Sequence, residues 1–125
     1  MPETPKILLI VCAALEAVVG LLMLAAPGRF LARMMPGMTP GLDAISVSRL
    51  AGSALLSLGA LAWFARDITD PAALKPVLVA LLVYNVLAMV NLFYQGAKID
   101  SGAYVPGAAH LILSVALVYY LRLGA

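Results

Sequence analysis

Four long apolar runs, at 7–26, 44–64, 76–94 and 103–121, set the pattern of the chain. Each approaches the roughly 20 residues that an α-helix needs to cross a hydrocarbon core about 30 Å thick. Only Glu16, Arg49 and His110 interrupt them with acidic or basic side chains. The segments between the runs are short and hold most of the prolines and charges. Short connections predict that consecutive helices are antiparallel neighbours. Extended to their capping residues, the runs predict helices at about 5–26, 42–64, 74–95 and 103–122.

The helix starts carry punctuation. Thr4-Pro5, Thr39-Pro40 and Asp70-Pro71 each pair a side chain that accepts from an orphan N–H with a proline whose missing N–H costs nothing in the first turn. Asp43 is a second candidate cap for the second helix. Pro76 and Pro106 lie farther in, which predicts later starts or bends there. The 27–41 segment differs from the other connections. Arg29 and Arg33 are four apart, and Phe30, Leu31, Met34 and Met35 fall largely on the opposite side. That pattern predicts a brief helix lying in the membrane interface.

Composition agrees with lipid as the solvent. The 125 residues are 64% hydrophobic and 11% charged, against about 45–50% and about 25% for soluble domains. The fold class is therefore all-α: one domain over 1–125, an integral membrane bundle of four antiparallel transmembrane helices with short loops. Trp63, Phe64, Phe93, Tyr94, Tyr104, Tyr119 and Tyr120 lie near helix ends, where amphipathic rings meet headgroups. The first run is longer than the roughly 7–15 residues of a signal-peptide core, so it is expected to be a retained span.

The charge pattern excludes some partners. Net charge is +2 with the basic residues scattered singly, whereas nucleic-acid binding needs a basic patch or stripe. A single cysteine, Cys12, precludes an internal disulfide, and with one histidine it leaves no conventional zinc site. The Met34, Met35 and Met38 thioethers suit Cu(I) in principle but are read as interfacial packing, and no metal is assigned. Lys6, Arg66, Lys75 and Arg122 share the side of the termini, against Arg29, Arg33 and Lys98 on the other. This slight excess predicts both termini in the cytoplasm.

The buried polar side chains carry the functional question. Counted at ~1.5 Å per residue, Glu16 falls near the middle of the first span and Asn85 near the midplane. Arg49, Asn91 and His110 lie one to two turns from the side opposite the termini. Helical phase places Tyr84, Asn91 and Gln95 on one stripe with Asn85 at its flank, Ser46, Arg49 and Ser53 on another, and His110 and Ser114 on a third. A charged group at the centre of a span costs ~2.5–3.5 kcal/mol on insertion scales. It is tolerated when it faces the bundle and finds a partner. Arg49, with its fixed fork of donors, is the expected partner of Glu16. If Arg49 instead reaches toward the headgroups, Glu16 is expected to be neutral. The plainer reading of the whole set is that it fixes helix register.

The order Gly20, Pro27, Phe30-Leu31, then "RLAGSALLSLGALAWFAR" at 49–66 and His110 in the fourth run resembles the DoxX-like group of small four-helix bacterial membrane proteins. The resemblance implies a four-helix bundle in the cytoplasmic membrane, quinone-linked oxidoreductases among the partners of some relatives, and Arg49 and His110 as positions to watch. A more distant likeness is to sterol-isomerase and sigma-receptor-like proteins, which bury acids and a histidine against a lipophilic ligand. This chain has one intramembrane acid where that group typically has more.

The reading reached is a polar-lined intramembrane pocket formed by Glu16, Arg49, Asn85, Asn91 and His110, with Ser46, Ser53, Tyr84, Gln95 and Ser114 around it. It would bind a lipid-like or quinone-like molecule, or a partner helix of a membrane complex. Two alternatives stand beside it. One is an enzyme using Glu16 or His110 as acid or base on an apolar substrate, an isomerase or quinone-linked redox protein. The other is an oligomeric transporter with a Glu16/His110 proton relay. Membrane lipid, a lipophilic small molecule, and either further copies or a partner subunit are the expected partners.

Overall fold

A computed structural model describes residues 5–124. Five α-helices follow in order: α1 (Lys6–Ala25), α2 (Pro27–Met34), α3 (Leu42–Ala65), α4 (Pro71–Lys98) and α5 (Tyr104–Arg122), with a single 3₁₀ turn at Ser101–Ala103 before α5. Four of them, α1, α3, α4 and α5 with its preceding turn, are long and apolar enough to cross a membrane. The protein is an all-helical membrane bundle. Thr4, the expected first cap, lies outside the described residues.

Local chemistry explains the breaks. Ala26 leaves the helical region because the ring of Pro27 crowds the preceding residue. The chain restarts at once, with Pro27 harmless at the first position of α2. Gly37 takes φ +85° in the turn that ends this segment, a conformation that favours glycine. At α4, Asp70 Oδ1 accepts from the Ala72 N–H at 3.0 Å. Neither Thr39 nor Asp43 caps α3, whose first residue follows Gly41 without a side-chain bond. Pro76 does not delay α4, which begins five residues earlier at Pro71. The strong Asp70-Pro71 start wins, and membrane helices tolerate the one backbone bond that an internal proline removes. Pro106 is the third residue of α5, within the turn whose N–H groups have no intrahelical partner.

The bundle is built from two hairpins. In the first, α1 and α3 touch backbone to backbone. A methyl group added at Gly20 would lie 2.8 Å from the Gly52 carbonyl oxygen and 2.9 Å from the Leu56 nitrogen. One added at Gly59 would lie 3.1 Å from the Ala13 oxygen and the Ala17 nitrogen. Small residues let membrane helices approach this closely, and dispersion contacts supply the attraction. In the second hairpin, α5 packs on α4 through Gly107 against Leu92 and Phe93, and through the Tyr104 ring against Gly96.

A core of leucines joins the hairpins at one end only. Leu9, Cys12, Ala13, Ala62, Ala65, Leu74, Leu78, Leu81, Leu113 and Leu117 are buried together, all in the half nearer the termini. In the other half the buried residues are small or polar: Gly20, Pro27, Ser48, Gly52, Gln95, Ala103 and Gly107. The outward faces are apolar, with Phe64 78% and Leu50 74% exposed, as a lipid-facing surface requires. The helix α2 crosses the looser end, where Gln95 Nε2 donates to the Met34 carbonyl at 2.6 Å and ties it to α4.

At the end nearer the termini, Lys6 Nζ meets Asp67 Oδ1 at 2.7 Å and joins the start of α1 to the turn after α3. Arg66 lies 3.4 Å from the same carboxylate. Its guanidinium stacks 3.8 Å from the Trp63 ring and donates to the Trp63 carbonyl. The hydrogen bond from Lys6, with the charges of Lys6 and Arg66, holds the Asp67 carboxyl below its ordinary range despite some desolvation. The contact should therefore help stability in full above the ordinary aspartate value of about 3.9. It should fade as pH falls through the lower folded value. Thermal unfolding of Asp67→Asn and of the parent should differ near neutral pH and converge in acid. The pair is exposed, so the gap should be small.

Candidate functional site

The leucine core ends at a level where α1, α4 and α5 each turn a polar side chain inward. Glu16 is on α1, one turn from Cys12 and one from Gly20, a spacing that puts all three on the face toward the bundle. It is 2% exposed. Gly59 of α3 lies opposite it, with room for a methyl group only at 3.4 Å from the Glu16 Cβ. The Tyr84 hydroxyl of α4 is the polar group set against its carboxyl. Glu16 Oε1 is buried with no hydrogen-bond partner among the described residues.

From Tyr84 the polar track continues to α5. The Tyr84 and His110 rings meet edge to face, with centroids 5.6 Å apart and planes at 83°. Asn85, completely buried, donates from Nδ2 to the Leu81 carbonyl at 2.8 Å. Its Oδ1 therefore faces His110 Nδ1 as an acceptor, at 2.7 Å. This assigns the imidazole hydrogen to Nδ1 and leaves Nε2 as the uncommitted nitrogen. Ser114 Oγ bonds back to the His110 carbonyl at 2.8 Å and stays within its own helix. One carboxyl, one phenol, one imidazole and one amide thus lie in sequence across three helices.

Arg49 is not part of the track. It is exposed on the outer side of α3 and forms no ion pair among the described residues. The expected Glu16–Arg49 partnership is corrected by helix packing. The buried face of α3 runs through Ser48, Gly52, Gly59 and Ala62. The backbone contact of Gly52 with Gly20 leaves no space for a guanidinium between the helices. Ser46 and Ser53 share the outer side, where Ser53 Oγ bonds to the Arg49 carbonyl at 3.0 Å.

Asn91 is also exposed. The inward stripe of α4 follows Leu74, Leu78, Leu81 and Asn85 at steps of four, three and four, which leaves Asn91 to the side. Gln95 is buried but serves α2 rather than the track. The serine that the sequence reading missed is Ser48, 3% exposed, its Oγ without a partner among the described residues. Its signal is the i, i+4 spacing to Gly52, which continues to Gly59.

Two grooves along the long helices lie outside the track. One, of 350 Å³, runs along the α1–α3 seam between Ala13, Ala17, Gly59 and Trp63. The other, of 300 Å³, follows the α4–α5 seam past Leu82, Val86 and Val115. Neither is lined by Glu16, Asn85 or His110. Among the described residues no three His, Cys, Asp or Glu side chains converge on a position for a metal ion. No family model, curated protein or solved structure matches the chain.

Proposed function

We propose that this membrane protein is a non-enzymatic binding protein for a lipophilic molecule with a hydrogen-bonding head, of the quinone-like class. Glu16 anchors that head. The observation that carries the reading is Glu16 Oε1, a carboxyl oxygen buried inside a membrane bundle with no partner among the described residues. An unmatched polar atom in a dry interior costs a free energy comparable to a lost hydrogen bond. A ligand carbonyl or hydroxyl would supply the missing bond. The ligand enters between the two hairpins, in the half where no leucine core holds them together. Tyr84 and His110 then lie beside the head group as further polar contacts.

The DoxX-like resemblance supports a bacterial cytoplasmic membrane as the location and a quinone-linked complex as the partner. The excess of basic residues beside the termini supports cytoplasmic termini. The expected outcome is saturable binding of decylubiquinone to the protein in nanodiscs. Glu16→Leu should weaken it at least about tenfold, or ~1.4 kcal/mol. Affinity unchanged by Glu16→Leu, with the variant folded by circular dichroism, would remove the proposal.

A further inference from the structure

A cavity of 710 Å³ opens far from this track, where α2 meets the turn before α5. Its walls carry two opposite charges, Arg33 from α2 and Asp100 from the turn. Neither side chain is in an ion pair among the described residues. The rest of the wall is small or apolar, including Ala32, Ala103 and Val105. Pro106 adds the first turn of α5, which continues directly from the 3₁₀ turn.

The level of the cavity matters. It sits beyond the end of α1 and at the start of the α5 span, beside the amphipathic α2. The ends of spanning helices meet the headgroup region. The cationic side, Arg33, suits a phosphate. The anionic side, Asp100, suits an ammonium. A site for anions alone would not need a carboxylate in its wall, since that would repel them.

Backbone details fix the geometry. The Asp100 N–H donates to the Gln95 carbonyl at 3.1 Å, which anchors the turn to the end of α4. The carboxylate folds back over Gly102, where an added methyl group would lie 2.8 Å from Oδ2. On the opposite wall, the Gln95 bond to the Met34 carbonyl holds α2 in place. Gln95 therefore braces both charged walls through its own side chain and carbonyl.

We infer that this cavity binds a zwitterionic phospho-amine, its phosphate toward Arg33 and its ammonium toward Asp100. A phosphatidylethanolamine headgroup and a free phosphoethanolamine compound share that chemistry. The site is independent of the Glu16 track, and either can fail without the other.

The test is native mass spectrometry of the detergent-solubilised full chain with lysophosphatidylethanolamine and lysophosphatidylglycerol. The ethanolamine lipid should bind at least tenfold more tightly. Asp100→Asn should abolish that preference, and Arg33→Gln should weaken both lipids. If Asp100→Asn does not fold, Gly102→Ala serves instead. Its methyl group displaces the carboxylate without removing a charge, and the preference should fall. Competition by glycerophosphoethanolamine, which has no tail, identifies the source. Failure to compete supports a membrane lipid, and equal competition supports a soluble phospho-amine. Equal binding of the two lipids by the parent chain, or a preference that survives both Asp100→Asn and Gly102→Ala, overturns the inference.

Discussion

Gly20→Val should separate α1 from α3 and lower the stability of the whole bundle. The first added carbon already lies 2.8 Å from the Gly52 oxygen and 2.9 Å from the Leu56 nitrogen. Both are backbone atoms, so no side chain can swing away to make room. Overpacking costs typically about 1–3 kcal/mol and sometimes more. Valine adds two further methyl groups in the same seam. Gly28→Val is the control, because nothing lies within 4 Å of a methyl group there. It makes the same residue change in the first turn of α2, where no other helix is met, so a large difference between the two variants reports the contact. Thermal unfolding in detergent should show Gly20→Val clearly below Gly28→Val. Equal stability would mean that α1 and α3 do not meet at Gly20 and Gly52. The consequence reaches the candidate site, since Gly59 in the same seam stands opposite Glu16.

The spans were legible because lipid imposes a simple rule. Every backbone polar group must be satisfied internally, so a run of about 20 apolar residues becomes a helix. Rotation about the helix axis was less legible. In a soluble protein, polar residues mark the outside. Here the outside is lipid, and the apolar pattern is nearly uniform around each helix. A reading that turns every polar residue inward meets a mixed outcome: Glu16 and Asn85 are buried and His110 half-buried, whereas Arg49 and Asn91 are exposed. Arg49 escapes the rule because it lies only seven residues into α3. A long side chain at that depth reaches the headgroup region without a partner in the bundle. The better guide to the interior of α3 was its small residues, since Ser48, Gly52, Gly59 and Ala62 all face inward. Tyr84 is half-buried at the flank of an inward face centred on Asn85, and its place between Glu16 and His110 depends on how the two hairpins meet. That relation is tertiary, and no spacing within one helix encodes it.

Glu16→Leu should leave the bundle as stable as the parent, or more stable, while removing ligand binding. The two side chains are similar in size, and Glu16 Oε1 has no bond to lose. Leucine removes that unmatched oxygen, whose burial costs a free energy comparable to a lost hydrogen bond. The partner that suffers is Tyr84, whose hydroxyl would face a methyl group instead of a carboxyl. Tyr84→Phe should therefore be unfavourable in the parent and neutral or favourable in the Glu16→Leu background, so the two changes should not add. Membrane double-mutant cycles give coupling of ~0.6 kcal/mol on average and up to ~1.7 kcal/mol. Glu16 and Arg49 should add within ~0.3–0.5 kcal/mol, as separate sites do. Unfolding of the four variants of each cycle in one detergent measures both couplings. Coupling to Arg49 but not to Tyr84 would reverse the arrangement and restore an ion pair. A Glu16→Leu protein that loses stability and keeps its ligand would make the carboxyl architectural. A protein that gains stability and loses its ligand places the cost of a buried acid with function, where strained and unsatisfied groups persist.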